Sequence, residues 1–201
     1  MQTQLSKTEF LSKLKTDYEF NKEYGRNPTT KGSVALPCCH YGFQCYTTVL
    51  TLDERIRIAA AREGQEYEQY KTNWNTDEQW VDDLDSDNIP KRKLSLKFNI
   101  RSVDCFLGMP FDIASYSILV HMLCMELNYV PNELIVASGD THIYLNHLEQ
   151  VKTQMSREPR ALLPVLRLKG HIGKSVFDYT YDDFEVADYD SHAVIKAPIA
   201  V

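Results

Sequence analysis

The sequence predicts a mixed α/β (α+β) domain with a central sheet flanked by helices. Three observations carry that reading. Residues 94–101 alternate Leu94, Leu96, Phe98 and Ile100 with Ser95, Lys97, Asn99 and Arg101, the period of two expected of a half-buried strand. Asp112–Asn128 is rich in apolar residues (Ile113, Ile118, Leu119, Met122, Leu123 among them) and reads as a central, well-buried helix. Strand-like and helix-like stretches are mixed along the rest of the chain, which favours helices packed on a sheet.

Taken in order, residues 4–16 place Leu5, Phe10, Leu11 and Leu14 on one stripe and predict a short helix. Residues 17–35, with Gly25, Pro28 and Gly32, read as loop. Residues 41–50 read as a strand. Residues 51–92 are helix-rich and charged, with eleven acidic against four basic side chains between Asp53 and Asp87. They predict a solvated helical insertion between two strands, with Trp74 and Trp80 as the alternative anchors of a docking arm. After the helix at 112–128, Leu134–Ser138 predicts a strand, Gly139 a turn, and Ile143–Gln154 a helix. ALLPVLRLKG reads as a proline-interrupted strand, and VFDYTYDDFEVADY as one or two short segments. The tail HAVIKAPIAV is apolar to its last residue, which solvated termini rarely are, and is expected to dock.

A chain of 201 residues is expected to fold as a single domain with a sizeable core. Its net charge of −6 argues against general nucleic-acid binding, which needs a basic face, while leaving room for a small phosphate site. The opening is polar and no apolar run reaches membrane-spanning length, so no membrane association is expected. The odd count of five cysteines fits reduced thiols and a cytoplasmic location. No C-x-x-C pair exists and no metal is expected; the acidic run at 82–87 lacks the glycine and closing glutamate of a calcium loop.

The stretch ALPCCHYGFQCYT (36–48) holds the first candidate chemistry. A cysteine at the mouth of a strand, beside His40, is a candidate nucleophile. Cysteine is also among the residue types most often buried as core filler, and this segment alone leaves both readings open.

Several separated motifs, in order, resemble the thymidylate synthase family, which includes the deoxycytidylate hydroxymethylases. They are NPTTKGSVALPCCH (27–40), IRSVDCFLGMPFDIASYS (100–117), GDTHIYLNH (139–147), REPRALLPVLRL (157–168) and YDDFEVADYDSHAVIKAPIAV (181–201). The resemblance implies a thymidylate synthase-like sheet that dimerises through its face. It also implies a transferase using 5,10-methylenetetrahydrofolate as co-substrate to methylate or hydroxymethylate C5 of a deoxypyrimidine 5′-monophosphate. Cys39 then corresponds to the nucleophile that adds to C6, next to His40, and Cys38 replaces a proline. Arg101 resembles the phosphate ligand that also favours the thiolate, with Ser102 beside it, and Gln44 the strand residue near the phosphate. Asp104 resembles the aspartate that contacts the pyrimidine and the folate pterin. His142 and Tyr144 resemble the pair that binds the ribose 3′-hydroxyl. Gly108 and the tail to Val201 fall where the family meets folate.

Two departures from the family pattern matter. Asp112 stands where the synthases carry asparagine. A carboxylate can accept from the cytosine amino group, so dCMP is favoured over dUMP. Ile100, apolar before the arginine-serine pair, points the same way, whereas the tail IKAPIAV is synthase-like and keeps thymidylate synthase proper as an alternative. The second departure is at the front, where the family's N-terminal phosphate arginines, proton-relaying glutamate and folate tryptophans are not recognisable; Glu9 and Arg26 are the nearest residues. This implies either a second polypeptide that supplies those groups, or a non-catalytic nucleotide-binding or assembly subunit, or an insertion at 51–92 that brings Trp74 or Trp80 to the folate. A homodimer is expected by resemblance, and a base-modifying enzyme of this kind suggests a phage or other virus as the source.

Overall fold

The computed structural model describes residues 39–72 and 76–199. The predicted helix at 4–16, the loop at 17–35, Glu9, Arg26, Cys38, Trp74 and Val201 lie outside those residues. The chain divides into two units, Met1–Tyr41 and Gly42–Val201.

Three strands form the main sheet: β1 (His40–Val49), β2 (Arg92–Asp104) and β3 (Val130–His142), in the order β1-β2-β3. Strands β2 and β3 are parallel, with Phe98 opposite Val136 and Asp104 opposite His142. Strand β1 runs the other way. The Asn99 amide donates to Gly42 O (3.4 Å), the Arg92 guanidinium donates to Thr47 O (3.1 Å) and Leu50 N–H donates to Lys91 O (2.9 Å). The sheet is therefore mixed, and helices flank it as the sequence predicts.

Helix α4 (Met109–Leu127) makes the crossover that parallel strands require and packs on β2 and β3. Pro110 lies in its first turn, where a missing N–H breaks no helical bond. Asn128 ends it in the left-handed conformation, its N–H donating to Cys124 O. The predicted alternation of β2 holds: Leu94, Leu96, Phe98 and Ile100 are all buried. The Phe98 ring stacks on Tyr116 of α4 at 4.0 Å, and Phe43 of β1 meets the same ring edge-on at 6.4 Å. The expectation that α4 is well buried needs correction. Only Val120 and Cys124 are buried, and Phe111 is 73% exposed. A helix apolar on every side needs a second layer beyond the sheet, and the described residues cover one stripe of it.

The insertion folds as three helices: α1 (Leu52–Arg62), α2 (Tyr67–Tyr70) and α3 (Asp77–Ser86). Thr51 and Glu54 form a capping box on α1, with Glu54 N–H donating to Thr51 Oγ1 (3.2 Å) and Thr51 N–H donating to Glu54 Oε2 (2.8 Å). The prediction of a solvated excursion describes only its outer face. Ile56, Ala59, Ala60, Tyr70, Trp80, Leu84 and Ile89 form a core of their own. Trp80 is buried with its ring 5.6 Å from Tyr70, so it is packing material and is not presented to a partner or to folate. Arg55 is buried too, donating to Asp85 Oδ1 (2.7 Å), Pro90 O (3.2 Å) and Ile89 O (3.2 Å), which ties α1 to the end of the insertion.

Gly139 lies inside β3, and the expected turn is absent there. A Cβ at this position would sit 2.6 Å from Arg101 O, so the glycine admits the neighbouring backbone. The helix expected over 143–154 is a 3-10 turn (Leu145–His147) followed by α5 (Leu148–Met155). Strands β4 (Val165–Leu168) and β5 (Phe184–Ala187) pair antiparallel in a second, two-stranded sheet, with Pro164 just ahead of β4. The tail is held by the Arg157 guanidinium donating to Ala193 O (2.7 Å) and by His147 Nε2 donating to Pro198 O (2.7 Å). No helix among the described residues is long and apolar enough to cross a membrane.

Candidate active site

Because β2 and β3 are parallel, their carboxyl ends emerge at one edge of the sheet, the edge where open α/β sheets bind ligands. Asp104 is the last residue of β2 and His142 the last of β3, and the register sets them opposite each other. Cys105 N–H donates to His142 O at 2.9 Å and locks that end of the pair. The chain then folds back on Asp104. Its Oδ1 accepts from Phe106 N–H (2.9 Å) and its carbonyl from Gly108 N–H (3.0 Å), and α4 begins at the next residue. A Cβ on Gly108 would lie 3.0 Å from Asp104 O, so this glycine has a packing reason as well as the folate contact predicted for it.

The His142 ring stands edge-on to Tyr144 at 4.8 Å, so the structure brings the two predicted ribose ligands together. His142 Nδ1 lies 3.4 Å from Asp140 O and 3.6 Å from Asp140 Oδ1. The same Asp140 carboxylate accepts from Ser102 Oγ at 3.5 Å, its partner in the β2–β3 register. Arg101 is exposed on β2, and its carbonyl is the atom that Gly139 accommodates. Asp112 lies half-buried in the first turn of α4, where a carboxylate is favoured by the helix dipole. Its N–H donates to Gly108 O at 3.1 Å, which links it through one turn of backbone to the Asp104 corner.

Gln44 is exposed in β1, away from the Asp104 corner in sequence and strand. Cys39 and His40 belong to the first unit, where Cys39 is a half-buried free thiol and His40 opens β1. Val201 lies outside the described residues. Among the described residues, no group of three or more His, Cys, Asp or Glu side chains is arranged to hold a metal.

One residue at this corner has no role in the sequence reading. His147 is fully buried, its Nδ1 3.8 Å from Asp104 Oδ1, with the rings of Phe106 and Tyr144 each 5.6 Å away. It closes the motif GDTHIYLNH, but a histidine beside hydrophobic residues carries no signal of what its two nitrogens will face.

The corner can therefore present a carboxylate, a histidine and a tyrosine to a ligand seated past the strand ends, with a second carboxylate on the adjoining helix. A family model described as thymidylate synthase matches residues 24–201, which includes every residue of this corner. The chain belongs to the thymidylate synthase family, whose members are methyltransferases that use methylenetetrahydrofolate to alkylate C5 of a pyrimidine nucleotide and are typically dimeric.

Proposed function

We propose that this chain transfers a one-carbon unit to C5 of a deoxypyrimidine 5′-monophosphate, with Cys39 as the nucleophile and dCMP preferred over dUMP. The observation that carries the reading is the grouping of Asp104, His142 and Tyr144 at the carboxyl ends of β2 and β3. A nucleotide needs there an acceptor for the base and donors for the sugar hydroxyl, and these side chains supply them.

A pyrimidine C5 is a poor nucleophile. Addition of the Cys39 thiolate to C6 forms a C–S bond and moves the ring's electron pair toward C5. When bound, the folate supplies the one-carbon unit at C5. Loss of the C5 proton and release of the folate nitrogen would leave a methylene at C5, and hydride from the folate (giving methyl) or water (giving hydroxymethyl) would add to it as the thiolate is expelled. The residues fit such a co-substrate, since Asp104 offers a carboxylate acceptor at the strand end and Gly108 keeps bare backbone beside it. Arg101 and Ser102 are assigned to the phosphate with Gln44, and His142 and Tyr144 to the ribose hydroxyl. His40 is assigned to the catalytic group with its neighbour Cys39.

Asp112 supports dCMP. A carboxylate accepts from the N4 amino group, whereas uracil presents a carbonyl oxygen there and would face it unpaired. The synthase-like tail IKAPIAV favours a second reading, thymidylate synthase proper. A homodimer through the sheet is supported by the face opposite α4, where Tyr46 is 67% and Ile135 45% exposed.

Tritium release from C5-labelled dCMP and dUMP, with methylenetetrahydrofolate and with or without any co-encoded partner, tests the proposal. Faster release from dCMP is expected, and Asp112→Asn should shift the preference toward dUMP by about tenfold or more. Cys39→Ala should abolish release while leaving nucleotide binding intact, and Cys38→Ala should not. Faster release from dUMP by the parent chain overturns the role of Asp112 and selects the synthase. Release from neither, with nucleotide still bound, selects a non-catalytic binding subunit.

A further inference from the structure

His147 faces two groups that no assigned role connects. Its ring is fully buried, so neither nitrogen is satisfied by bulk water. Pro198 O, at 2.7 Å from Nε2, is a carbonyl and can only accept, so Nε2 carries the proton. Nδ1 has no hydrogen-bond partner, and the nearest charged atom is Asp104 Oδ1, 3.8 Å away. A bare Nδ1 lone pair against a carboxylate oxygen would be repulsive. The two atoms can bond only through a shared proton, and 3.8 Å is one small ring or carboxylate movement beyond a hydrogen bond. The flanking rings of Phe106 and Tyr144 leave the imidazole little freedom to turn elsewhere.

We propose that His147 is a positioning residue that links the seating of the C-terminal segment at Pro198 to the orientation of the Asp104 carboxylate. With the segment seated, Nε2 is committed to Pro198 O and Nδ1 is held toward Asp104. With the segment released, the imidazole loses the bond that fixes its proton, and Asp104 loses its neighbour. The consequence for catalysis rests on the role proposed above for Asp104; the link itself does not.

The test uses the full chain and separates the two nitrogens. His147→Gln keeps an N–H donor where Nε2 stood, and His147→Asn keeps a polar group only where Nδ1 stood. Release of C-terminal residues by a carboxypeptidase should rise about tenfold in His147→Asn and His147→Ala, the change expected from losing one buried hydrogen bond, and stay near the parent rate in His147→Gln. Equal release from parent, Asn and Gln variants overturns the link to the tail. In protein carrying 15N-labelled histidine, Asp104→Asn should move the Nδ1 resonance of His147, and an unmoved resonance overturns the link to Asp104. Tritium release should fall in both Gln and Asn variants with KM for the nucleotide unchanged, and a parent-like rate in both overturns the positioning role. A parent chain that releases no tritium sinks the proposed function, and the carboxypeptidase and resonance results still decide the link.

Discussion

Gly139→Ala is the sharpest test of how the strand ends are positioned. The added Cβ would stand 2.6 Å from Arg101 O, 3.4 Å from Arg101 C and 3.6 Å from Arg101 Cα. These are backbone atoms of the central strand, so no side chain can swing aside. Bringing the first contact out to an ordinary 3.4 Å means a retreat of about 0.8 Å between β2 and β3. Overpacking of that size costs about 1–3 kcal/mol. For a chain of this length it lowers Tm by about 3–10 °C. The same retreat would separate Ser102 from Asp140, whose bond is already long at 3.5 Å, and so weaken nucleotide binding as well. Gly42→Ala is the internal control, because a Cβ there meets nothing within 4 Å, and it should leave Tm unchanged or raise it slightly. Differential scanning calorimetry on the two variants, with nucleotide titration by calorimetry, makes the comparison. If Gly139→Ala melts with the parent, the close approach of Arg101 O is not what requires glycine, and the account of this register fails.

Three further outcomes follow from the packing and the charges. Trp80→Ala should destabilise the chain by about 3–5 kcal/mol in urea unfolding, since it empties the centre of the insertion's core; a change below about 1 kcal/mol would mean that the ring is not buried there. Burial, with Cys45 nearby as a lesser cause, pushes the Cys124 thiol up to about 12, so Cys124 should resist thiol reagents at pH 8 while Cys45 reacts. Since the folded value is raised, that contribution to stability is present below the ordinary thiol value and fades as pH climbs through about 12. The Thr180 N–H, helped by the Lys174 ammonium, holds the Asp183 carboxyl down to about 2, so its contribution is present above the ordinary carboxyl value and is lost as pH falls through about 2. Acid unfolding of Asp183→Asn followed by circular dichroism should lack that part of the slope, and an identical profile would refute it.

Legibility in the sequence tracked how local the cause was. The alternation of β2 predicted its buried face because one strand needs only its own period to choose a side. Trp80 is not legible as core for the opposite reason. A tryptophan in a run of acidic residues looks solvent-facing until Ile56, Tyr70 and Leu84 from other helices close around it. Gly139 reads as a turn because glycine is the usual turn residue, and only the backbone of a different strand shows why it stays extended. In the candidate site, His142 and Tyr144 sit two residues apart and were legible as a pair. His147 was not, because one of its contacts comes from Asp104 and the other from Pro198, 51 residues further on.

The pairing of Asp104 with His142 depends on register more than on either residue. Ten partners from Lys93–Val130 to Asp104–His142 fix the two strands, with one irregularity between Leu94 and Leu96 that takes up the offset at the start. A slip of one residue would turn Leu96, Phe98 and Ile100 away from α4 and expose the buried face, so the core itself holds the corner in place. The strand ends thus inherit their precision from apolar side chains several residues away. Shortening the core at Phe98, which stacks on Tyr116, should therefore loosen nucleotide binding as well as stability, although no atom of Phe98 belongs to the corner. A Phe98→Leu chain that melts lower yet binds nucleotide with unchanged affinity would show that the two strand ends are held by the turn after Asp104 alone.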